Sequence, residues 1–442
     1  MGREAWTEAH VRRLFWRAGF GARPDEAARW AERGKEATVA WLLKGGSRGA
    51  LHGPPPTVDG QPIDPVNEWG HDQLWWLDRM VRTERPLDEK MTLFWHDHFA
   101  TRDQETPLML RQNRMLRKRC LGSFPGLLRA VTLDPAMQLF LSLADSHKDA
   151  PNENYARELM ELFTLGRGYS ERDIREASRA LTGFRARWSG GSFRGIRYDR
   201  HAHDRGMKRI FRSRGRHDWR DVLRLCTSHP RHASFLVGKL WAFFVTEPLD
   251  RRTRAVLVRT YRGSRLRIAP VVGEILAHRA LYADLDRPDM VKAPAVYVAG
   301  MLRSAGMGVD RADWSWLMDH MGQTLFEPPS VAGWDWGAAW LSTNTTRARF
   351  DAVTRLLRSS PLAVPDDSVP PGLSPAEQLA QARAATGLPW TSPQTDAVLE
   401  RMAASYFDDI APRQEWKRIR RADHLQRTLR HFLLAGPDSH LH

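Results

Sequence analysis

Three short strings of this sequence combine imidazole, carboxylate and basic side chains. They are FWHDHF at residues 94–99, PNENYARELMELFTLG at residues 151–166 and HDRGMK at residues 203–208. Imidazole nitrogen and carboxylate oxygen together suit iron, copper, manganese or zinc. The sequence therefore predicts a transition-metal cofactor of one of these four kinds, and the predicted metal ligands are His96, His98, Glu158, Glu161 and His203.

The first string lies at the end of a predicted helix with an apolar stripe. Leu87, Met91 and Phe94 share this stripe with His98, so His98 is expected to point into the interior. His96 lies about 200° away around a regular helix, so both rings reach one metal only where the helix ends or distorts. The alternative is that each imidazole is a core histidine bonded to a backbone carbonyl.

The second string predicts a helix with Asn152 as its N-cap and Gly166 just beyond its end. At 100° per residue, one arc of about 140° carries most of its polar side chains. These are Glu153, Asn154, Arg157, Glu158 and Glu161. Glu158 and Glu161 are spaced to share a cation or a proton. The alternative is a solvated face with Glu153–Arg157 and Arg157–Glu161 ion pairs.

The remaining polar residues of the strings have the right chemistry for an anionic substrate. We expect catalytic roles for Glu153, Arg157 and Lys208. The predicted substrate contacts are Asn154, Arg205 and Trp334. Trp334 belongs to a Pro- and Gly-rich loop whose tryptophans could stack on a flat ligand, or could simply pack. The third string could equally be a basic surface loop.

Basic charge is concentrated in one part of the chain. The formal net charge is +15, and 58 of the 67 basic residues are arginine. Residues 185–220 hold 12 basic and three acidic residues, a net +9. Coding bias could account for arginine use in general, but a local cluster indicates a surface for an anionic ligand. No zinc-finger, basic-zipper or RNP pattern is present, so nucleic acid is not an expected partner.

The elements that position these residues are predicted to be mainly α-helical. We expect a large helical domain over residues 1–358, with a small β-hairpin near 184–211 inside a basic insertion at 184–217. A Pro-rich linker at 359–374 and a helical segment at 375–442 follow. Two cysteines exclude a disulfide scaffold, and no 18-residue apolar run is present, so no membrane partner is expected. Without a recognisable leader, a cytoplasmic location is expected.

The strings as a set resemble the family known as DUF1800, a group of bacterial proteins of unknown function. KLWAFFV at 239–245 and FEPPSVAGW at 326–334 add to the resemblance, which runs from about His10 to Arg347. It implies a mostly helical fold and no settled chemistry. Many members look exported, often beside a phosphatase-like or sulfatase-like family, whereas this sequence shows no leader.

Three functions follow from these patterns, and whether the protein is an enzyme stays open. The first is a metal-dependent enzyme, an iron- or copper-type oxidoreductase acting on an anionic or peptide substrate. The second is a metal-assisted hydrolase of phosphate or sulfate esters. The third is a non-catalytic scaffold that binds a polyanion or an acidic protein. A peptide-modifying role, with the basic patch holding an acidic leader segment, would combine catalysis with binding.

The metal hypothesis predicts that the purified protein holds a near-stoichiometric transition metal. His98→Ala and Glu158→Ala should each lose it, because each removes one predicted ligand. Elemental analysis under conditions that retain weakly bound ions measures this directly. A protein without metal under those conditions would end the hypothesis.

Overall fold

The computed structural model describes residues 5–44, 49–102, 104–359, 361–366, 368–370, 372–387, 389–406, 408 and 415–442. Over these residues the fold is mainly helical, as predicted, with 20 α-helices and three two-stranded antiparallel sheets. No helix in the described part of the chain is both long and apolar enough to cross a membrane.

The helices follow one another closely along the chain. In order they are α1 Glu8–Arg17, α2 Glu26–Arg33, α3 Lys35–Lys44, α4 His71–Arg82, α5 Pro86–His98, α6 Thr106–Arg119, α7 Phe124–Thr132, α8 Pro135–Phe140, α9 Asn154–Glu158, α10 Glu171–Leu181, α11 Trp219–Ser228, α12 His232–Phe244, α13 Arg251–Gly263, α14 Ile268–Ala277, α15 Pro294–Ser304, α16 Asp313–His320, α17 Thr343–Ser359, α18 Pro375–Ala385, α19 Pro393–Ser405 and α20 Glu415–Ala435. The strands are β1 Thr57–Val58, β2 Gln61–Pro62, β3 Phe184–Ser189, β4 Ser192–Tyr198, β5 Lys208–Ile210 and β6 Ser213–Gly215.

The chain divides into two compact units. The first comprises Met1–Pro86, Arg279–Leu325 and Asp335–His442, and the second comprises Leu87–His278 and Phe326–Trp334. All three chemical strings belong to the second unit. The predicted linker at 359–374 lies within the first unit, as do the residues on either side of it. The C-terminal segment forms α18–α20, which share a buried cluster that includes Leu379, Leu399 and Leu425.

Helix α5 is the centre of the second unit's core. Its predicted apolar stripe is confirmed, because Leu87, Met91 and Phe94 are all buried and His98 is buried with them. The neighbouring Trp95 is also buried, and its Nε1–H donates to the carbonyl oxygen of Cys120 at 2.8 Å. This bond satisfies the indole's one polar group, as burial requires. The end of α5 is therefore held rigidly where the first chemical string lies.

The predicted hairpin is present and lies at the start of the basic insertion. Strands β3 and β4 pair over Phe184–Tyr198, with Arg185 opposite Arg197 and a register shift after Arg187. The turn uses Gly190 and Gly191, both at positive φ, a conformation that glycine adopts without steric cost. Sheet β5–β6 follows, and its first strand, β5, lies within the region 184–211 where the hairpin was predicted.

The second string does not form one regular helix, which corrects our expectation. The α-helix begins at Asn154 and not directly after Asn152, whose Oδ1 accepts the Asn154 backbone N–H at 2.9 Å. After Glu158 the chain continues as a π-helix, Leu159–Leu165, and ends at Gly166 with φ 72°. π-Helical turns are rare and depend on tertiary partners, so helical periodicity alone does not reveal them.

A buried ion pair joins α5 to α6 and gives a first test of this packing. Arg117 Nε and Nη2 donate to the two carboxylate oxygens of Glu89 at 2.5 and 2.8 Å, and both residues are buried. We predict that Glu89→Ala lowers the free energy of unfolding by about 3–5 kcal/mol, because a buried guanidinium loses its counter-charge. Urea denaturation measures the loss. The exposed Glu8–Arg12 pair is the control, and Glu8→Ala should change stability little. Equal effects of the two variants would contradict the prediction.

Candidate functional site

Two histidines close the end of the π-helix. The last carbonyls of any helix lack partners within it, and inside a core they must find other donors. His98 Nε2 lies 3.1 Å from the carbonyl oxygen of Phe163, and His232 Nδ1 lies 3.1 Å from that of Thr164. The Thr164 hydroxyl donates to the Leu159 carbonyl at 2.5 Å. The π-helix is therefore stabilised by side chains from α5 and α12.

These contacts fix the protonation of both imidazoles. A carbonyl oxygen only accepts, so His98 carries its proton on Nε2 and His232 carries one on Nδ1. His232 Nε2 then accepts from the Tyr261 hydroxyl at 3.0 Å. Burial lowers the pKa of His98 well below its ordinary value and lowers the pKa of His232 to about 4. Both rings are neutral donors at neutral pH, which is the core-histidine alternative for His98.

The other histidine of the first string lies in a different environment. The ring of His96 lies 5.8 Å from that of Phe326 and 5.6 Å from that of Trp334, centroid to centroid. Burial lowers the pKa of His96 to about 3. Trp334, expected to face substrate, is only 5% exposed. It packs against His96 and so presents little open ring surface to a ligand.

Asp97 anchors the loop that carries Trp334. Its Oδ1 accepts the Trp334 backbone N–H at 2.8 Å. Gly333 lies next to it at φ 91°, and a Cβ there would collide with the Asp97 carboxylate. Glycine is therefore required for this close approach. The FEPPSVAGW string is held against the end of α5 by this contact.

The polar face of the second string is an exposed ion-pair network. Arg157 donates to both carboxylate oxygens of Glu171 at 3.0 and 2.9 Å, and to Glu153 at 3.1 Å. The Glu171 hydrogen bond is the main reason that the pKa of Arg157 is raised. The Glu153–Arg157 pair was an expected alternative, whereas the second partner is Glu171 of α10 and not Glu161. Asn154 is exposed beside this network.

Of the predicted metal ligands that the structure describes, Glu158 and Glu161 are close enough for the charge of one to affect the other. Burial and the neighbouring Glu161 charge both raise the pKa of the half-buried Glu158. The Tyr169 hydroxyl donates to Glu161 Oε2 at 3.1 Å. Within the described residues, no group of three or more His, Cys, Asp and Glu side chains is placed to hold a metal ion.

The third string forms a tight turn that packs against Thr182, the residue that follows α10. His203 Nδ1 lies 3.0 Å from the carbonyl oxygen of Thr182, and the backbone N–H of Asp204 donates to the Thr182 hydroxyl at 2.9 Å. Asp204 Oδ2 accepts from Arg179 Nε at 2.7 Å. Lys208 Nζ donates to the carbonyl oxygens of Asp204 and Gly206 at 2.5 and 3.0 Å.

This arrangement leaves Lys208 little freedom for catalysis. Its side chain has no exposed surface, and its ammonium is occupied by the turn that it closes. Arg205, a predicted substrate contact, is exposed on the same turn. The HDRGMK string therefore stabilises this turn, and its Arg205 is exposed to solvent.

The predicted site residues lie in separate environments. Glu171, the partner of Arg157, and Arg179, the partner of Asp204, are eight residues apart on α10, a rise of about 12 Å. His98 of α5 is buried against the π-helix, whereas Glu161 of the π-helix is exposed. A metal-dependent reaction through His96, His98, Glu158, Glu161 and His203 stays a prediction, and the described geometry does not draw these five together.

The sequence patterns assigned no functional role to His232, and its hydrogen bonds to Thr164 and Tyr261 were missed. The residue is fully buried and binds both the π-helix and Tyr261. A signal was present, since His232 precedes the buried Leu236 and Leu240 at intervals of four residues. Its partner carbonyl could not be identified, because helical periodicity does not show which distant side chain supplies the donor to a carbonyl at the end of a helix.

A second candidate site is the surface of the basic insertion, which we call the arginine surface. It comprises the arginines of residues 185–220, of which ten are exposed and one, Arg185, is half-buried. Nine of these lie more than 4.0 Å from every described carboxylate: Arg185, Arg187, Arg194, Arg200, Arg205, Arg209, Arg212, Arg214 and Arg216. The arginine surface is therefore largely uncompensated positive charge.

The arginine surface continues towards α6 and α7 through one aromatic ring. Trp219 lies between two guanidinium groups, Arg220 at 4.5 Å and Arg129 at 5.8 Å from its ring. Arg129 lines a groove of about 290 Å³ together with Arg111 and Arg119. Burial raises the pKa of Asp134, at the edge of this groove, to about 6. We call these residues the arginine groove.

Acid should destabilise the fold through its buried histidines. Their folded pKa values lie below the ordinary 6.5, so the unfolded chain binds more protons below about pH 6.5. Stability should therefore fall from pH 6.5 towards pH 4, by about 2 kcal/mol at pH 5 for each of His96 and His232. Thermal unfolding at pH 7 and pH 5 measures this. His232→Gln should show a smaller drop than the unaltered chain, and an identical drop would contradict the assignment.

The comparisons with known proteins give one match. No curated protein and no solved structure matches this chain. Residues 13–437 match the family described as a protein of unknown function, DUF1800, which agrees with the order of the five strings. The match covers most of the sequence, and we conclude that this chain belongs to the DUF1800 family.

Proposed function

We propose that this chain is a non-catalytic scaffold that binds an extended acidic polypeptide on the arginine surface. The observation that carries the proposal is the set of nine arginines without a described carboxylate within 4.0 Å. Unpaired charges of one sign raise the local potential and attract a ligand of the opposite sign. Complementary charge gives such a complex its specificity and its rate of association.

The hairpin itself favours an anionic ligand. Arg185 and Arg197 are direct cross-strand partners, so two like charges face each other. Such pairs destabilise a sheet. The carboxylate of Asp199, 3.7 Å from Arg197, offsets only part of this charge. Carboxylates of a bound partner would remove the remaining repulsion.

The edges of the hairpin favour a polypeptide as the partner. No described backbone group of residues 185–197 forms a backbone hydrogen bond outside the hairpin. An edge strand with unpaired N–H and C=O groups can accept a further strand from another chain. Side chains of an added strand repeat on one face about every 7 Å, the same spacing as Arg185 and Arg187. Acidic residues at alternate positions would then meet these arginines.

The arginine groove extends the same surface. The ring of Trp219 joins Arg220 of the arginine surface to Arg129 of α7 through two cation–π contacts. A bound acidic segment could follow this path from the hairpin to Arg111 and Arg119. The two-site arrangement favours a long ligand over a single small anion.

The oxidoreductase and hydrolase functions stay predictions. Their support in the described residues is limited to Glu158, whose pKa is raised by burial and by the charge of Glu161, as suits a potential proton donor. Binding on the arginine surface requires no convergence of the three strings, so it agrees better with the observed placement of His98, His203 and Glu158.

The proposal predicts binding of a fluorescently labelled decaglutamate peptide to the full chain. Arg185→Gln, Arg187→Gln and Arg197→Gln combined should weaken binding about tenfold or more, because three contacts to carboxylates are lost. Affinity should also fall with added salt, since the charges are exposed. Fluorescence anisotropy measures both effects.

A matched control removes equal charge from the same unit. Arg251, Arg252 and Arg259 are exposed on α13, and their combined change to glutamine should alter affinity less than threefold. A decaglutamate peptide N-methylated at alternate positions should bind more weakly if it adds as a strand. Equal loss in both triple variants, or tighter binding of single-stranded DNA than of the peptide, would overturn the proposal.

A further inference from the structure

A cavity in the first unit contains a buried lysine with no acidic partner. The cavity has a volume of about 240 Å³ and its wall is largely apolar, including Trp16, Leu285, Met301, Leu433 and Trp390. Lys292 lines it too and is buried. A mostly apolar cavity with a few polar or charged groups is the usual form of a small-molecule site.

The ammonium of Lys292 lies between two lining residues. Its Nζ donates to the carbonyl oxygen of Ser439 at 2.6 Å and lies 4.0 Å from the ring centroid of Trp16. An ammonium has three N–H donors. The described residues provide one carbonyl and one ring face, so one donor has no protein acceptor. No described aspartate or glutamate lies within 4.0 Å of it.

A second buried cation, Arg349, contacts the backbone of Lys292. Arg349 is fully buried, and its Nη2 donates to the Lys292 carbonyl oxygen at 2.8 Å. Its guanidinium lies 4.7 Å from the Tyr297 ring, while its Nε and Nη1 have no hydrogen-bond partner among the described residues. Two adjacent buried cations without a counter-ion are costly, and orphaned buried donors point to a missing ligand.

The other charged residues of the wall already have partners. Arg12 is bonded to Glu8 and to the Gly387 carbonyl oxygen. Arg13 donates to the Asp284 carbonyl oxygen, and the side chain of Asp438, which also lines the cavity, accepts the Ser392 backbone N–H at 2.7 Å. Lys292 is thus the wall cation whose charge is not offset by a described acid.

We propose that this cavity binds a monocarboxylate with an apolar body, whose carboxylate contacts Lys292 and whose hydrocarbon part fills the space beside Trp16, Met301 and Leu433. The carboxylate would supply both the missing acceptor for Nζ and the missing counter-charge for the Lys292–Arg349 pair. The apolar wall would exclude water from the ion pair, which strengthens it. A neutral amide of the same shape would supply only the acceptor.

Binding should be linked to proton uptake. Burial and Arg349 lower the pKa of Lys292 to about 7, so it is largely neutral above that pH. A bound carboxylate favours the charged form and draws a proton onto it. Arg349 from α17 and His440 from the C-terminal segment interact electrostatically with Lys292. The other charged or titratable groups that line the cavity are Arg12 and Arg13 from α1, Tyr297 from α15, Asp438 and His442.

Isothermal titration of the full chain with octanoate tests the proposal. At about pH 8, in buffers of different ionisation enthalpy, octanoate should bind with uptake approaching one proton, and at about pH 6 with almost none. Octanamide should bind at least tenfold more weakly, and inorganic phosphate should not bind. Equal affinity for octanoate and octanamide would overturn the proposal.

Two variants separate the ion pair from the cavity. Lys292→Met keeps the length and removes the charge, so it should lose the preference for octanoate over octanamide and the proton uptake. Met301→Trp fills the cavity and should abolish binding of both compounds while Lys292 remains. Folding of each variant is checked by circular dichroism and thermal unfolding. Octanoate binding that survives both changes, or no binding by the folded unaltered chain at millimolar octanoate, would contradict the proposal.

Discussion

The hydrogen bonds from two neutral histidines to a π-helix are the constraint on which the second unit depends. A π-helix leaves carbonyl groups in the core that a regular α-helix would place differently, and each must receive a donor. His98 from α5 and His232 from α12 supply these donors to Phe163 and Thr164. Three helices are thus joined at one point, where burial keeps both imidazoles uncharged at neutral pH.

Several residues whose side chains could take part in catalysis or metal binding instead make contacts that stabilise the fold. Asp97 holds the loop that carries Trp334, and Lys208 closes the turn after His203. In each case a group that could bind a metal or move a proton is bonded to backbone instead. Strings that identify the DUF1800 family therefore also stabilise its fold. Polar residues of these strings mostly contact other groups of the protein, while nine arginines of the arginine surface have no described carboxylate within 4.0 Å.

Much of the fold could be predicted from local patterns, and the failures have a common cause. The apolar stripe of α5, the β3–β4 hairpin and the helical C-terminal segment follow from residue periodicity and turn residues, and they are present. The π-helix could not be predicted, because it depends on donors from helices far away in sequence. For the same reason the partner of Arg157 was placed on its own helix, although it is Glu171 of α10. Exposure of Trp334 was overestimated because its contact with His96 is long-range.

The two positively charged sites differ in physical character. The arginine surface is exposed, so salt screens it and its ligand must be extended to gain affinity. The cavity beside Lys292 is largely apolar and holds about 240 Å³, so the ligand that we propose there carries a single carboxylate. The two proposed anion sites belong to separate units.

The most direct test of this account is the protonation state of the two π-helix histidines, read from ¹⁵N chemical shifts of the imidazole nitrogens. We predict that His98 is neutral with its proton on Nε2 and that His232 is neutral with its proton on Nδ1. The ¹⁵N shifts of neither ring should change when Fe²⁺ or Zn²⁺ is added. A metal-induced shift at His98, or the opposite tautomer at either ring, would contradict the structural role and return these residues to a metal centre.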